Sequence, residues 1–298
     1  MSLDFRRLKR THSLNSWLNL IFAVVIVALV FVSVVINLLA TPTVIVEEVG
    51  VKTFRMFTVL SNILVGVASA MTIPFAVDGI RKRNYHLPRW IVTLTYVSVN
   101  CISLTFLVAL AVLSPRAGFA PIMTDGKNLF LHTIVPILAI LSFLFVNAYH
   151  TVKFKTAFLA VLPVFVYAMV YLVSAIIIGE ENGGWRDHYR FEELMPWYYI
   201  LPIMLLFSFG VACLLRVVHN RMHRRDQLAT ERYYQTAAEY DLPTVEEAIR
   251  KLARDDKARA ADGDVTVPRR IIRFFEKKYQ SNRSIAYLCG IYLEEFLK

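Results

Sequence analysis

The sequence is poor in cysteine and lacks the common signatures of a cofactor site. Three cysteines occur in 298 residues: Cys101 and Cys213 inside long apolar runs, and Cys289 in the polar C-terminal part. That leaves no external disulfide, and no spacing resembles a zinc or redox motif. Packing is the ordinary role of such thiols. The zinc pattern His-Glu-x-x-His is absent, and so are a phosphate-binding glycine loop and a dinucleotide fingerprint. No metal and no other cofactor is therefore expected. Acids are missing from the apolar runs. That argues against a proton- or cation-coupled carrier, because such relays need an intramembrane acid.

What is present is hydrophobicity. Apolar residues make up 56% of the chain and charged residues 19%, and the mean hydropathy is +0.50. Six apolar runs reach about 20 residues, enough to cross a bilayer as a helix. They lie near 17–40, 54–77, 90–113, 129–149, 156–178 and 197–218. Helices satisfy backbone groups in hydrocarbon most economically. The expected fold is an all-α integral membrane bundle of six transmembrane helices with a small cytoplasmic helical tail. Its expected parts are a basic head (1–16), the membrane domain (17–218) and the tail (219–298). The first run follows Arg6, Arg7, Lys9 and Arg10, as a signal peptide would. It is too long for a signal h-region and has no clear cleavage site, so it reads as an uncleaved anchor.

Basic residues alternate between loops. The head, the loop with Arg81, Lys82, Arg83 and Arg89, the loop with Lys153 and Lys155, and the start of the tail (Arg216, Arg221, Arg224, Arg225) are basic. The loop with Glu180, Glu181, Asp187, Glu192 and Glu193 is acidic. Positive residues stay inside, so both termini are expected in the cytoplasm. The net charge of +10 then reflects topology and attraction to anionic lipid rather than nucleic acid.

The tail reads as short soluble helices. One continues from the sixth run through about Tyr240. Thr244-Val-Glu-Glu247 matches a capping box, with Pro243 before it. Asp262-Gly263-Asp264 breaks the next helix, Pro268 opens another through about Tyr279, and a last one covers 282–297. Basic residues such as Arg269, Arg270 and Arg273 lie among acids, as on a solvated helical face. The tail remains a candidate surface for a cytoplasmic protein.

The residues that could carry chemistry are polar ones inside the runs. Thr58, Ser61, Asn62, Ser69 and Thr72 share one helical stripe, and Tyr167, Tyr171 and Ser174 share another. The ordinary role of such stripes, and of Asn100, is to bond across helices. Thr58 alone could bond back to the Phe54 carbonyl. His132 alone could be a packed or water-facing residue. Together they gain meaning, since the second and fourth runs cross in the same direction and Thr58 and His132 enter at similar depth. A hydroxyl beside a neutral imidazole is the minimum for a nucleophile and its base. With no buried acid, Asn62, Tyr171 or backbone groups would have to orient the base and hold an oxyanion. Pro136 cannot donate to the His132 carbonyl, so the kink there could also set the imidazole.

Phe57-Thr58 and His132-Thr133-Ile-Val-Pro136 resemble the androgen-induced and androgen-dependent six-span membrane hydrolases. In those proteins a Thr early in one span and a His followed by Thr and Pro form the catalytic pair, which hydrolyses fatty acid esters of hydroxy fatty acids. A bacterial family described as "predicted six-transmembrane protein" is similar in Phe57-Thr58-Val-Leu-Ser61-Asn62, in Tyr167…Tyr171…Ser174 and in Gly184-Trp185. The resemblance spans about 15–218 and leaves out the tail. It implies that Thr58 and His132 are catalytic, that Ser61, Asn62, Tyr167, Tyr171 and Trp185 bind or orient substrate, and that the setting is a bacterial plasma membrane. The relatives carry a Pro- and aromatic-rich stretch after the Trp, whereas this chain has no Pro between Trp185 and Pro196.

The sequence thus leads to hydrolysis of a lipid ester by a Thr/His dyad near the outer face. Two alternatives stay open: a non-enzymatic lipid- or partner-binding membrane protein, and an acyltransferase that uses the same dyad.

Overall fold

A computed structural model describes residues 2–40, 49–82, 87–147, 150–189, 195–224, 242–261, 290–292 and 294–296. The chain divides into two compact units, residues 15–224 and residues 1–14 with 225–298. No strand occurs among the described residues. Among these residues six helices are long and apolar enough to cross a membrane, so the molecule is an integral membrane protein built as an all-α six-helix bundle. They are α1 (Ser2–Leu39) with its apolar part Leu14–Leu39, α2 (Phe57–Lys82), α3 (Arg89–Ala117), α4 (Gly126–Phe145), α5 (Phe154–Ile178) and α6 (Trp197–Met222).

Boundaries differ from the sequence reading in instructive ways. The helix of α2 begins only at Phe57, because a 3-10 turn covers Gly50–Arg55 and Met56 is extended. Phe54 is thereby taken out of the helical ladder of Thr58. At its other end α2 runs on to Lys82 and takes in Asp78, so this helix does carry an acid. Helix α4 stops at Phe145, short of the expected 149.

Helix α3 is the centre of the bundle. Two-thirds (67%) of its most apolar window is buried, against 17–39% for the other five helices. Every residue from Thr95 to Thr105 is buried. Small polar residues such as Ser98 and Ser103 allow this close approach. Two side chains tie α3 to its neighbours. The Tyr96 hydroxyl donates to the Ala212 carbonyl at 2.6 Å. The Asn100 amide donates to the Ala160 carbonyl and the Ser208 hydroxyl, each at 3.0 Å. At the end of the bundle away from Thr58, His219 stacks on Phe143 with centroids 4.4 Å apart.

In the second unit, α7 (Leu242–Ala261) starts before Thr244. That residue lies inside the helix and not at its cap, since Pro243 fits the first turn, where no amide partner is needed. Arg250 and Arg254 pair with Glu295 at 3.2 and 3.1 Å, and the Tyr292 hydroxyl donates to Asp256 at 2.9 Å. The expected helices through Tyr240 and from Pro268 to Tyr279, and the break at Asp262-Gly263-Asp264, lie outside the described residues.

Candidate active site

Thr58 is in the first turn of α2, and His132 lies in α4, within a π-helical turn (Leu129–Ile134) just before Pro136. A π turn bonds each amide one residue further back than an α turn. It suits a site where Pro136 cannot supply the α-type bond to the His132 carbonyl. The two side chains meet. His132 Nε2 lies 3.3 Å from Thr58 Oγ1, and the residues are only 6% and 5% exposed.

The other imidazole nitrogen decides what this contact can do. His132 Nδ1 lies 2.7 Å from the Ile122 carbonyl oxygen. A carbonyl only accepts, so Nδ1 carries the hydrogen and, in the neutral ring, Nε2 presents a lone pair to Thr58. The Thr58 hydroxyl then donates to Nε2. Ile122 belongs to a second π turn, Ala120–Thr124, in the connection between α3 and α4. Two more side chains hold this turn against α4: Thr133 donates to the Met123 carbonyl at 2.6 Å, and Asn128 to the Pro121 carbonyl at 2.8 Å. A backbone carbonyl thus orients the imidazole; backbone groups were among the candidates for this from sequence.

Ser61 and Asn62 support the pair from behind. The Asn62 amide donates to the Thr58 carbonyl at 2.7 Å and to the Leu131 carbonyl at 3.1 Å. Ser61 donates to the Thr58 carbonyl at 3.0 Å and is 2.8 Å from the Thr105 hydroxyl of α3. Neither lines the adjoining cavity.

That cavity holds about 110 Å³ and is walled by α2, α3, α5 and α6. Thr58, Thr105, Tyr167, Tyr171 and Tyr189 are its hydroxyl-bearing lining residues, while Leu104, Val164 and Met204 are among its apolar lining. His132 does not line it and meets it through Thr58. The Tyr167 hydroxyl donates to the Arg55 carbonyl at 2.8 Å. The Tyr171 hydroxyl donates to Asp187 at 2.5 Å and lies 3.4 Å from the Tyr189 amide. Trp185 stays outside the lining. Its amide donates to the Ser174 carbonyl at 2.8 Å, and the Arg55 guanidinium sits 5.8 Å from its ring centroid.

Comparison with family models, with curated proteins and with solved structures finds no match to this chain.

Three groups around the pair were not singled out as site residues from sequence: the Ile122 carbonyl, Asp187 and Tyr189. Tyr189 is buried, and the Phe57 amide donates to its hydroxyl at 2.9 Å. Burial pushes its phenol pKa up, so the phenol keeps its proton. His188, whose ring meets Tyr171 edge-on and lies tilted against Tyr189, is pushed down to about 4 by burial. The signal that could have found Tyr189 is its place five residues after Gly184-Trp185, in a loop noted for its acids and its lack of proline. Among the described residues no cluster of His, Cys, Asp and Glu could hold a metal ion.

Proposed function

We propose that this protein is a membrane-embedded hydrolase of lipid esters, with Thr58 as nucleophile and His132 as general base. One observation carries the reading. The Thr58 hydroxyl faces an imidazole nitrogen whose tautomer is fixed by the Ile122 carbonyl, and it does so at the wall of an apolar cavity. The likeness of the Thr58 and His132 segments to the androgen-induced hydrolases supports the same chemistry.

The steps follow from general base and nucleophilic catalysis. The Thr58 oxygen bonds to the ester carbonyl carbon as its proton passes to His132 Nε2, and the carbonyl π pair moves onto oxygen. The tetrahedral species collapses. The bond to the alkoxy oxygen breaks, and that oxygen takes the proton from Nε2 and leaves as the alcohol. Water then attacks the acyl-threonine, with its proton going to Nε2. The second tetrahedral species releases the carboxylic acid as Thr58 regains that proton. A carbonyl in place of a carboxylate as the orienting group stabilises imidazolium less, so slow turnover is expected.

The membrane setting completes the proposal. With both termini in the cytoplasm the dyad faces the outer leaflet, in a bacterial plasma membrane. The substrate class is a fatty acyl ester, including esters of hydroxy fatty acids, with the acyl chain among Leu104, Val164 and Met204. The apolar cavity equally supports a second reading, lipid binding without turnover. Acyl transfer uses the same two side chains and differs in the acceptor. A cytoplasmic protein bound by the tail fits either.

The test uses detergent-purified protein with p-nitrophenyl octanoate and with a fatty acid ester of a hydroxy fatty acid. Thr58→Ala and His132→Ala should each lower turnover by at least about 10²-fold with folding intact. Undiminished turnover in either variant refutes the dyad. Absence of turnover in the parent protein, with the ester bound intact, selects the binding reading. New esters formed on addition of an alcohol select acyl transfer.

A further inference from the structure

The dyad supplies a nucleophile and a base but no group to meet the negative charge that develops on the ester oxygen. Such a donor is usually worth a large share of the rate. Resting on the hydrolase reading above, we infer that the Tyr189 hydroxyl is the oxyanion donor of this site, a catalytic residue in direct contact with the reacting ester.

Position is the first argument. Tyr189 lines the same cavity as Thr58, and its hydroxyl is within interaction range of the Thr58 hydroxyl. An ester carbonyl attacked by Thr58 must have its oxygen beside that carbon, within reach of a phenol placed there.

The sense of the hydrogen bond is the second. The Phe57 amide at the start of α2 donates to the phenol oxygen. This uses acceptor capacity and leaves the O–H hydrogen as what Tyr189 offers. A phenol whose oxygen accepts a hydrogen bond is polarised into a better donor. Tyr167, the neighbouring hydroxyl, already spends its hydrogen on the Arg55 carbonyl.

Preorganisation is the third. The loop around Tyr189 is held by contacts that leave its hydroxyl in place. Tyr171 binds Asp187 and meets the Tyr189 amide. The Tyr171 and His188 rings pack against the Tyr189 ring, with centroids 5.5 and 4.4 Å away. At rest the Tyr189 hydroxyl meets the hydroxyls of Tyr167 and Thr58, and the donors run from Thr58 to His132 to Ile122. When the ester enters, the Tyr189 hydrogen turns to the carbonyl oxygen as the Thr58 oxygen attacks the carbonyl carbon. In collapse the oxygen's electron pair re-forms C=O, and Tyr189 keeps its proton throughout.

The experiment compares p-nitrophenyl octanoate with its thionoester, whose larger sulfur is a poor hydrogen-bond acceptor. Tyr189→Phe keeps the ring packing. It should lower kcat for the oxoester by about 10²-fold, with KM changed less than threefold, and lower thionoester turnover far less. The oxo-to-thiono ratio should therefore collapse, which a general loss of structure does not produce. Where Tyr189→Phe lowers the thermal midpoint, 3-fluorotyrosine at 189 takes its place. It keeps the acceptor for the Phe57 amide and offers a more acidic hydroxyl, so the ratio should rise. An unchanged ratio in either protein, with Thr58-dependent turnover intact, overturns the role of Tyr189 and leaves the dyad standing. Faster turnover in Tyr189→Phe also overturns it, since the phenol would then be a plug. Turnover that survives Thr58→Ala overturns both readings together.

Discussion

The Asn62 amide nitrogen lies 3.1 Å from the Leu131 carbonyl oxygen, next in the chain to His132, while also donating to the Thr58 carbonyl one turn back on its own helix. One side chain thus ties the backbone of Thr58 to that of Leu131, the residue before His132. It fixes the rotation of α2 against α4, the quantity on which contact between Thr58 and His132 depends.

Asn62→Ala should therefore act on geometry more than on stability. Interhelical hydrogen bonds in membrane proteins average about 0.6 kcal/mol and reach about 1.7, so a loss of about 1 kcal/mol is expected. The thermal midpoint in detergent should fall by a few degrees. Ester turnover should fall about tenfold, because a small misplacement of a reacting group is costly. Unchanged turnover would show that α2 and α4 keep their register without this amide.

Asn100 offers the converse case. Its amide links α3 to α5 and α6 and takes no part in the dyad. Asn100→Ala should lower stability by about 1 kcal/mol, yet leave turnover per folded molecule within twofold. Thermal unfolding paired with active-site titration separates the two effects.

The loop 183–189 should loosen in acid. His188 is held near 4 by burial, against about 6.5 in an unfolded chain. Above pH 6.5 the ring is neutral in both states and its contribution is fully present. Between 6.5 and 4 only the unfolded ring binds a proton, so stability falls as pH falls, by up to about 3 kcal/mol, and then levels off. Thermal midpoints at pH 7.5 and 5 should show this drop, and His188→Gln should shrink it.

Gly184 should be sensitive to alanine and Gly210 indifferent to it. A Cβ at Gly184 would collide with the Ser174 carbonyl and crowd the backbone of Gly179, lifting the segment that carries Asp187 and Tyr189. Gly184→Ala should lower turnover at least tenfold. At Gly210 a Cβ meets nothing within 4 Å, so Gly210→Ala should be silent. Parallel turnover assays check both.

The fold was legible because length alone separates a membrane span from other apolar runs. The shared depth of Thr58 and His132 was legible because loop charge sets the direction of α2 and α4. Helix rotation was legible only in part: the polar stripe of Thr58, Ser61, Asn62 and Thr72 on α2 does turn inward, but no such stripe was read on α4 to set where His132 points. The break at Met56 was hidden as well, because Phe54-Arg-Met-Phe reads as continuous helix. Ile122 acts through its carbonyl, which no side-chain pattern can announce. Tyr189 reaches the site through a loop whose path depends on Tyr171 and Asp187, a contact 16 residues apart in sequence.

Covalent labelling tests the central claim most directly. The detergent-purified protein is treated with a fluorophosphonate, and the modified residue is located by mass spectrometry. A label on Thr58 that disappears in His132→Ala, in protein with an unchanged thermal midpoint, is the expected result. A label elsewhere, or one on Thr58 that survives loss of His132, would contradict activation of Thr58 by the imidazole.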